Sequence, residues 1–304
     1  MNITEQIPEA LAGQRLDRIV ALVADVSRAD AARLVDLGGV TVDGAVVVSG
    51  KTRMAAGQLL VVDPTKLPAD APPAPDPTVL FDVVHQDAAV VVVDKPPGLV
   101  VHPGAGNSDG TLVNGLLARF PDLVGVGDAQ RPGIVHRLDA GSSGLLVVAR
   151  TETARESLVA QFAAHLAGRR YDAVVWGVPA AARGLVDAPI GRDPRDPLRM
   201  AVVADGRPAR TEYEVVGELD QPVAGARISC RLQTGRTHQI RVHLSSIGHP
   251  IVGDEVYGKG RPRHGLDRPF LHATELSFDH PATGDRVTFT TPLAPDLQSW
   301  LNGQ

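Results

Sequence analysis

Two segments of this 304-residue chain carry side chains whose types and spacing could do covalent chemistry. Residues 133–150, GIVHRLDAGSSGLLVVAR, set Arg137 and Asp139 in a polar turn between a strand-like GIVH and a second strand, LLVVAR. A carboxylate and a guanidinium at the end of a sheet stand on a rigid scaffold, where reactive groups are often presented. Aspartate also closes turns for purely local reasons, and local composition alone favours that plainer role. Residues 232–244, LQTGRTHQIRVHL, contain a Thr234-Gly235 break after which Thr237 can cap a helix. Helical spacing puts Ile240, Leu244 and Ile247 on one face, with His238, Arg241 and Ser245 on the other. Arg241 is therefore expected near the helix start, aimed away from the packed face, as an ordinary solvated arginine would be.

Other chemistries lack their residues. His102, His136, His238 and His243 form no H-E-x-x-H pair, and His238 and His243, five apart, point to different helix faces, so structural histidines and no metal are expected. The glycines of PPGLVVHPGAG make neither G-x-G-x-x-G nor a P-loop, and no nucleotide cofactor is expected. The single cysteine, Cys230, rules out an intramolecular disulfide and a Cys-rich zinc site, and suits a reducing compartment. A glycoside hydrolase would need a second carboxylate at a defined separation, and neither segment supplies one.

The elements that must position these groups fall into two parts. Six prolines in residues 64–78, PTKLPADAPPAPDPT, predict a stiff, extended linker. It separates a small domain, 1–64, from a large one, 79–304, the linker proper being 65–78. In the small domain Leu16, Ile19, Val20 and Val23 recur at helical spacing, a second helix follows Ser27 as its cap, and Asp43-Gly44 predicts a hairpin. In the large domain VLFDVV, AVVVVD, GLLVVAR, YDAVVWG, ARISCRL and RVTFTT read as strands. Residues 151–166 read as a helix capped by Thr151, with Leu158, Phe162 and Leu166 on one face. Strands outnumber helices and often follow one another directly, which predicts an α+β fold. Net charge is −5, yet residues 227–263 hold seven Arg and Lys against Asp254 and Glu255, so a basic face is compatible with the acidic total. The N-terminus lacks a signal peptide's pattern and no apolar run spans a bilayer, which predicts a soluble, cytoplasmic protein.

HRLDAGSSGLLVVAR resembles the H-R-L-D-x-x-T/S-S-G-L signature of pseudouridine synthases acting on ribosomal and transfer RNA. DKPPGLVVHPG at 94–104, RRYDAVVWG at 169–177, RMAVVADGRPARTEYEVV at 199–216 and TGRTHQIRVHL at 234–244 follow in the order that family uses. SRADAARLVDLGGVTVDG resembles the core of the S4 RNA-binding domain. Together these look most like the large-subunit ribosomal RNA subgroup. The resemblance implies a mixed, mostly antiparallel central sheet with flanking helices, preceded by a small S4-like α+β domain. It implies Asp139 as the catalytic aspartate, Tyr171 as the tyrosine that stacks on the target base, and Arg241 as the aspartate's basic partner. Arg137 matches the arginine that fills the space of a flipped nucleotide, and His136, Arg236, His238 and Leu244 fall in the same RNA-facing motifs. Arg15, Arg28 and Lys51 are candidate phosphate contacts of the small domain. A nucleophilic carboxylate must be ionised, and a guanidinium beside it favours that form. The isomerisation needs no cofactor and no metal; the implied partner is RNA, and the implied state a monomer. Where many relatives carry two charged residues after the aspartate, this chain has Ala140-Gly141, a difference expected to touch loop packing or RNA contact. The remaining alternative is a non-catalytic RNA-binding or ribosome-assembly protein working through the S4-like domain.

Overall fold

Runs such as Val90 to Val93 and Leu145 to Val148 have to be covered on both faces, and in the computed structural model they form the middle of a nine-stranded sheet. The structure describes residues 2–26, 28–67, 72–104, 107–196 and 199–303. The chain divides into two compact units, Met1–Ala71 and Pro72–Gln304.

The smaller unit contains β1 (Ile3–Gln6), α1 (Leu16–Val23), α2 (Arg28–Asp36), β2 (Val40–Val42), β3 (Ala45–Val46) and β4 (Leu59–Val62). Its antiparallel sheet runs β1-β4-β2-β3. Asp43 and Gly44, at φ 51° and 82°, make the tight turn that Asp-Gly predicts. Leu16, Ile19 and Val20 of α1 pack with Leu34 and Val35 of α2 over Val40, Leu60 and Val62. The sequence pattern does not announce β1 or β4, and Ser27, the expected cap of α2, lies outside the described residues.

The proline-rich stretch departs from an extended linker at both ends. Asp63 Oδ1 accepts from Thr65 N (3.1 Å) and Oγ1 (2.6 Å), closing a 3-10 turn at Pro64–Lys66. Asp76 repeats the arrangement with Thr78 (2.9 and 2.6 Å), and Asn114 fastens this end through Ala74 O and its own carbonyl. Each Asp-Pro-Thr supplies its own acceptor and donors, so Pro64 and Pro77 lie in local turns. Residues 68–71, between them, lie outside the described residues.

The larger unit has strands β5 (Asp82–Gln86), β6 (Val90–Lys95), β7 (Ser143–Ala149), β8 (Gly168–Trp176), β9 (Arg183–Asp187), β10 (Ile190–Arg192), β11 (Met200–Val202), β12 (Arg210–Leu219), β13 (Gly225–Leu232), β14 (Leu271–Asp279) and β15 (Arg286–Thr290). Its helices are α3 (Leu112–Arg119), α4 (Glu152–Ala163), α5 (Gln239–Ser246) and α6 (Pro295–Leu301). The large sheet runs β5-β6-β7-β14-β8-β13-β12-β9, with β15 also on β14. Every pairing is antiparallel except β7 with β14, so the fold is the mixed α+β sheet expected. Pleating sends Val91, Val93, Leu146 and Val148 to one core with α3, and Val90, Val92, Leu145 and Val147 to another with Leu158 of α4. GIVH is not a strand: only Ile134 bridges, to Val148. Leu166 is 54% exposed, because α4 stops at Ala163, before the predicted apolar stripe is complete.

The parallel joint between β7 and β14 demands a glycine. Gly144 sits at φ 111°, opposite Ala273, and a Cβ there would fall 2.3 Å from Ala273 O. Gly144→Ala should therefore cost about 3 kcal/mol or more, read as a lowered urea midpoint; an unchanged midpoint would mean that the joint yields.

Candidate active site

Asp139 ends the irregular segment that leads into β7, and the backbone beyond it is clamped from two sides. Lys95, wholly buried at the end of β6, donates to Pro96 O (2.8 Å), Leu99 O (2.8 Å) and Ala140 O (3.2 Å). Burial pulls its pKa down to about 7, with Arg268 adding to the effect, while three carbonyl acceptors favour the ammonium. Arg268 holds Asp296 bidentately (2.6 and 2.8 Å) and donates to Gly141 O (3.3 Å) and Ser143 Oγ (3.1 Å). A Cβ on Gly141 would come 3.1 Å from Pro269, so the packing of this loop favours glycine there, while Ala140 is exposed.

Arg241 is 8% exposed, and every residue from Gln239 to Ser245 is buried, so α5 has no solvated face. His238, at φ 57° and without a side-chain cap, precedes the helix, where the sequence suggests a Thr237 cap. Arg241 Nη1 reaches Asp139 Oδ2 at 3.2 Å, while Nε and Nη2 hold Asp254 at 2.7 and 2.9 Å. Asp254 Oδ1 also accepts from the amides of Val256 and Tyr257, both at 3.0 Å. The Tyr257 ring lies 5.0 Å from the guanidinium centre, and its hydroxyl meets His238 Nδ1 (2.8 Å) and Met200 N (3.0 Å). Burial works against the charge on Arg241, but the hydrogen bonds and attraction of Asp254 outweigh it and raise its pKa. Asp254 is a second carboxylate near Asp139, yet its bonds are spent on Arg241 and the backbone, which leaves no acid–base pair of the glycosidase kind.

Tyr171, inward on β8, completes the group. Burial pushes its phenol up to about 12, against the pull of Arg169 and with the help of Asp139, so it is neutral at physiological pH. Asp139, Tyr171 and Arg241 line one cavity of about 700 Å3, with Arg137, Arg207 and Arg236 also in its wall. Counting Arg169, five arginines face a single carboxylate, a cationic cavity on a protein of net charge −5. Arg137 and Arg207 are exposed and Arg236 half-buried, as phosphate-facing groups would be.

Several expected RNA contacts are placed differently. Leu244 is fully buried in the main core and out of reach of RNA; helix packing, not recognition, explains it. His136 Nε2 accepts from Val147 N at 3.0 Å and its ring lies 4.6 Å from that of Phe162, so it braces β7 from the cavity wall. His243 is bonded to Thr211 Oγ1 and Ala188 O, both at 2.9 Å, as a structural histidine. In the smaller unit Arg15 and Arg28 share buried Asp17, at 2.6 and 3.3 Å, while Lys51 is exposed. Among the described residues His85, Asp87 and His280 could group around a metal. His85 Nε2 and His280 Nε2 both lie within hydrogen-bond distance of Asp87 Oδ2, at 2.7 and 2.9 Å.

Lys95, Asp254, Tyr257 and Arg268, which brace Asp139 and Arg241, are residues that the sequence reading passes over. The buried α5 arginine implies an acid nearby, but spacing alone does not choose between Asp254 and Glu255.

Comparison with known proteins agrees with this geometry. Residues 89–246 match the family model described as RNA pseudouridylate synthase. An uncharacterized RNA pseudouridine synthase of Chloroflexus aurantiacus is 47% identical over 300 residues, 96% of this chain and 90% of its own. Ribosomal large subunit pseudouridine synthase D of Zymomonas mobilis is 43% identical over 97% of this chain and 96% of its own. The solved human RNA pseudouridylate synthase domain containing 1 superposes with TM-score 0.58 at 28% identity, covering 73% of this chain and 88% of that one. The chain belongs to the RNA pseudouridylate synthase family and is an enzyme that isomerises uridine in RNA. No helix among the described residues is long and apolar enough to cross a membrane.

Two expectations follow. Asp254→Asn should cost about 3–5 kcal/mol of stability, since it removes one partner of a buried ion pair, and should slow single-turnover isomerisation; retention of both would show that Asp139 alone anchors Arg241. Burial, aided by Arg169, depresses the pKa of His136 to about 3. The unfolded chain binds that proton near pH 6.5 and the folded one does not, so stability contributed by neutral His136 is present above pH 6.5 and lost as pH falls toward 3. The slope is at most about 1.4 kcal/mol per pH unit. In urea titrations between pH 4 and 7, His136→Gln should flatten the profile by about one proton; parallel profiles would disprove the assignment.

Proposed function

We propose that this chain converts specific uridines of large-subunit ribosomal RNA to pseudouridine in the cytoplasm, as a monomer and without cofactor or metal. The observation that carries the site assignment is Arg241, which divides its nitrogens between buried Asp254 and Asp139 at a cavity walled by Tyr171. The target is supported by relatives named ribosomal large subunit pseudouridine synthase D, among them those of Zymomonas mobilis, Yersinia pestis and Pseudomonas aeruginosa.

The uridine leaves its stack at a cost of roughly a few kcal/mol. Stacking on Tyr171 offsets roughly 1–3 kcal/mol of this, while Arg137 enters the vacated space. Asp139, aimed by Arg241 Nη1 at 3.2 Å, assists cleavage of the C1′–N1 bond. The uracil turns, C5 bonds to C1′, the C5 proton is lost and N1 gains one. Tyr171, as a neutral phenol, relays protons in this reading instead of abstracting one as a phenolate. Arg207 and Arg236 take backbone phosphates, with His238 fixing Tyr257 beneath Arg241. The smaller unit acts as an S4-like RNA-binding domain, with Lys51 exposed and Arg15 and Arg28 contributing through the pair they share with Asp17.

Purified protein incubated with unmodified large-subunit RNA should produce carbodiimide-dependent reverse-transcription stops at one or a few uridines. Asp139→Asn should reduce conversion by roughly a thousandfold or more. Full activity of that variant would remove Asp139 from its role, and stops confined to transfer RNA would move the substrate.

A further inference from the structure

Arg169 is the one cavity arginine for which neither solvent nor a carboxylate accounts. It is 8% exposed, its Nε is buried without a hydrogen-bond partner, and no ion pair to it occurs among the described residues. The contrast within the cavity is sharp. Arg241 is as deeply buried but compensated twice, by Asp254 and Asp139, and Arg137 and Arg207 are hydrated at the surface. A buried, unpaired guanidinium is costly to the fold, and burial lowers its pKa. Such a charge is retained where a ligand supplies the missing anion.

Its position narrows the anion. On β8, Arg169 and Tyr171 are both buried and point to the same face, two residues and roughly 7 Å apart along the strand. The guanidinium is fixed over the Phe162 ring, 5.2 Å from its centre, and against Gly235, where a Cβ would fall 2.5 Å from Nη1. Gly235 thus leaves room for the guanidinium beside the Tyr171 wall. Phosphates stay at the mouth with the exposed arginines; a planar base lying on Tyr171 reaches inward. We propose that Arg169 is a catalytic residue that binds the carbonyl edge of the flipped uracil and stabilises the negative charge that the base carries between bond cleavage and rejoining.

The proposal rests on the reading of this cavity as the uridine site. When C1′–N1 breaks, its electron pair leaves with the uracil and spreads over N1 and the O2 and O4 carbonyls. The charge is discharged when C5 bonds to C1′, the C5 proton departs and N1 is protonated, so the product is an isomer and nothing is oxidised or reduced. Asp139 carries a like charge and is already shared with Arg241; Arg169 is the preorganised cation whose field the resident carboxylates do not quench. A pairing made only while the base is anionic lowers the barrier without tightening ground-state binding.

The test uses the RNA segment around the mapped uridine, carrying uridine or 5-fluorouridine at that position, with wild type, Arg169→Met and Arg169→Lys. Fluorine withdraws charge and stabilises the departing anion by itself. Single-turnover consumption of the uridine should fall roughly a hundredfold or more in the Met variant, with RNA affinity within about threefold of wild type. With 5-fluorouridine the loss should shrink to about tenfold or less, and Lys should recover part of it on both bases. Equal losses on the two bases would leave Arg169 a structural residue, and a loss residing in RNA affinity would make it a phosphate contact; either overturns the proposal. If the Met variant fails to melt cooperatively, the Lys variant carries the same comparison. Wild-type consumption of the uridine RNA is the separate check on the site reading, and its absence defeats both.

Discussion

The site depends on how one guanidinium divides its nitrogens. Arg241 gives two to Asp254 and leaves the third for Asp139. Were Asp139 its only anion, the two side chains could collapse into a bidentate pair that immobilises the Asp139 carboxylate. Asp254 prevents this by occupying the fork, and is itself fixed by the amides of Val256 and Tyr257. Asp139 is thus left with a single bond to a cation whose position is set elsewhere. Tyr257 beneath the guanidinium and His238 on the Tyr257 hydroxyl extend the brace. The fold answers to the same requirement, since it carries α5 to the end of the sheet where the segment before β7 presents Asp139.

Much of this is legible in the sequence, and the failures have a common cause. Asp139, Tyr171 and Arg241 are marked by local motifs, and the strands by β-branched runs such as VVVV, which need no tertiary information. Partners set by distant segments are not so marked. Arg241 has the spacing of a solvated arginine on an amphipathic helix, and only the fold shows that Asp254 and Tyr257 cover that face. Lys95, just past the AVVVVD run, carries no sign in the sequence that it is wholly buried. Leu244 falls in an RNA-facing motif, but its side chain serves the core. Arg15 and Arg28 read as lone cations, and only the fold places Asp17 between them.

The charge distribution shows the same division between sum and arrangement. An acidic total is unpromising for a protein that handles RNA, yet the cavity wall is cationic, with Asp254 standing behind Arg241. Electrostatic attraction acts over about a Debye length, roughly 8 Å in physiological salt, so a phosphate at the mouth responds to Arg137, Arg207 and Arg236, not to the total.

The parallel joint of β7 with β14 places His272 beside Ser143, 129 residues away in sequence. The segment carrying Asp139 therefore leads into a strand whose neighbour, β14, comes from far along the chain and lies between β7 and β8. Contacts of such separation form late and slowly. Until β14 has paired, the strand behind Asp139 lacks one neighbour, so the grouping of Asp139, Tyr171 and Arg241 waits on a pairing between segments far apart in the chain.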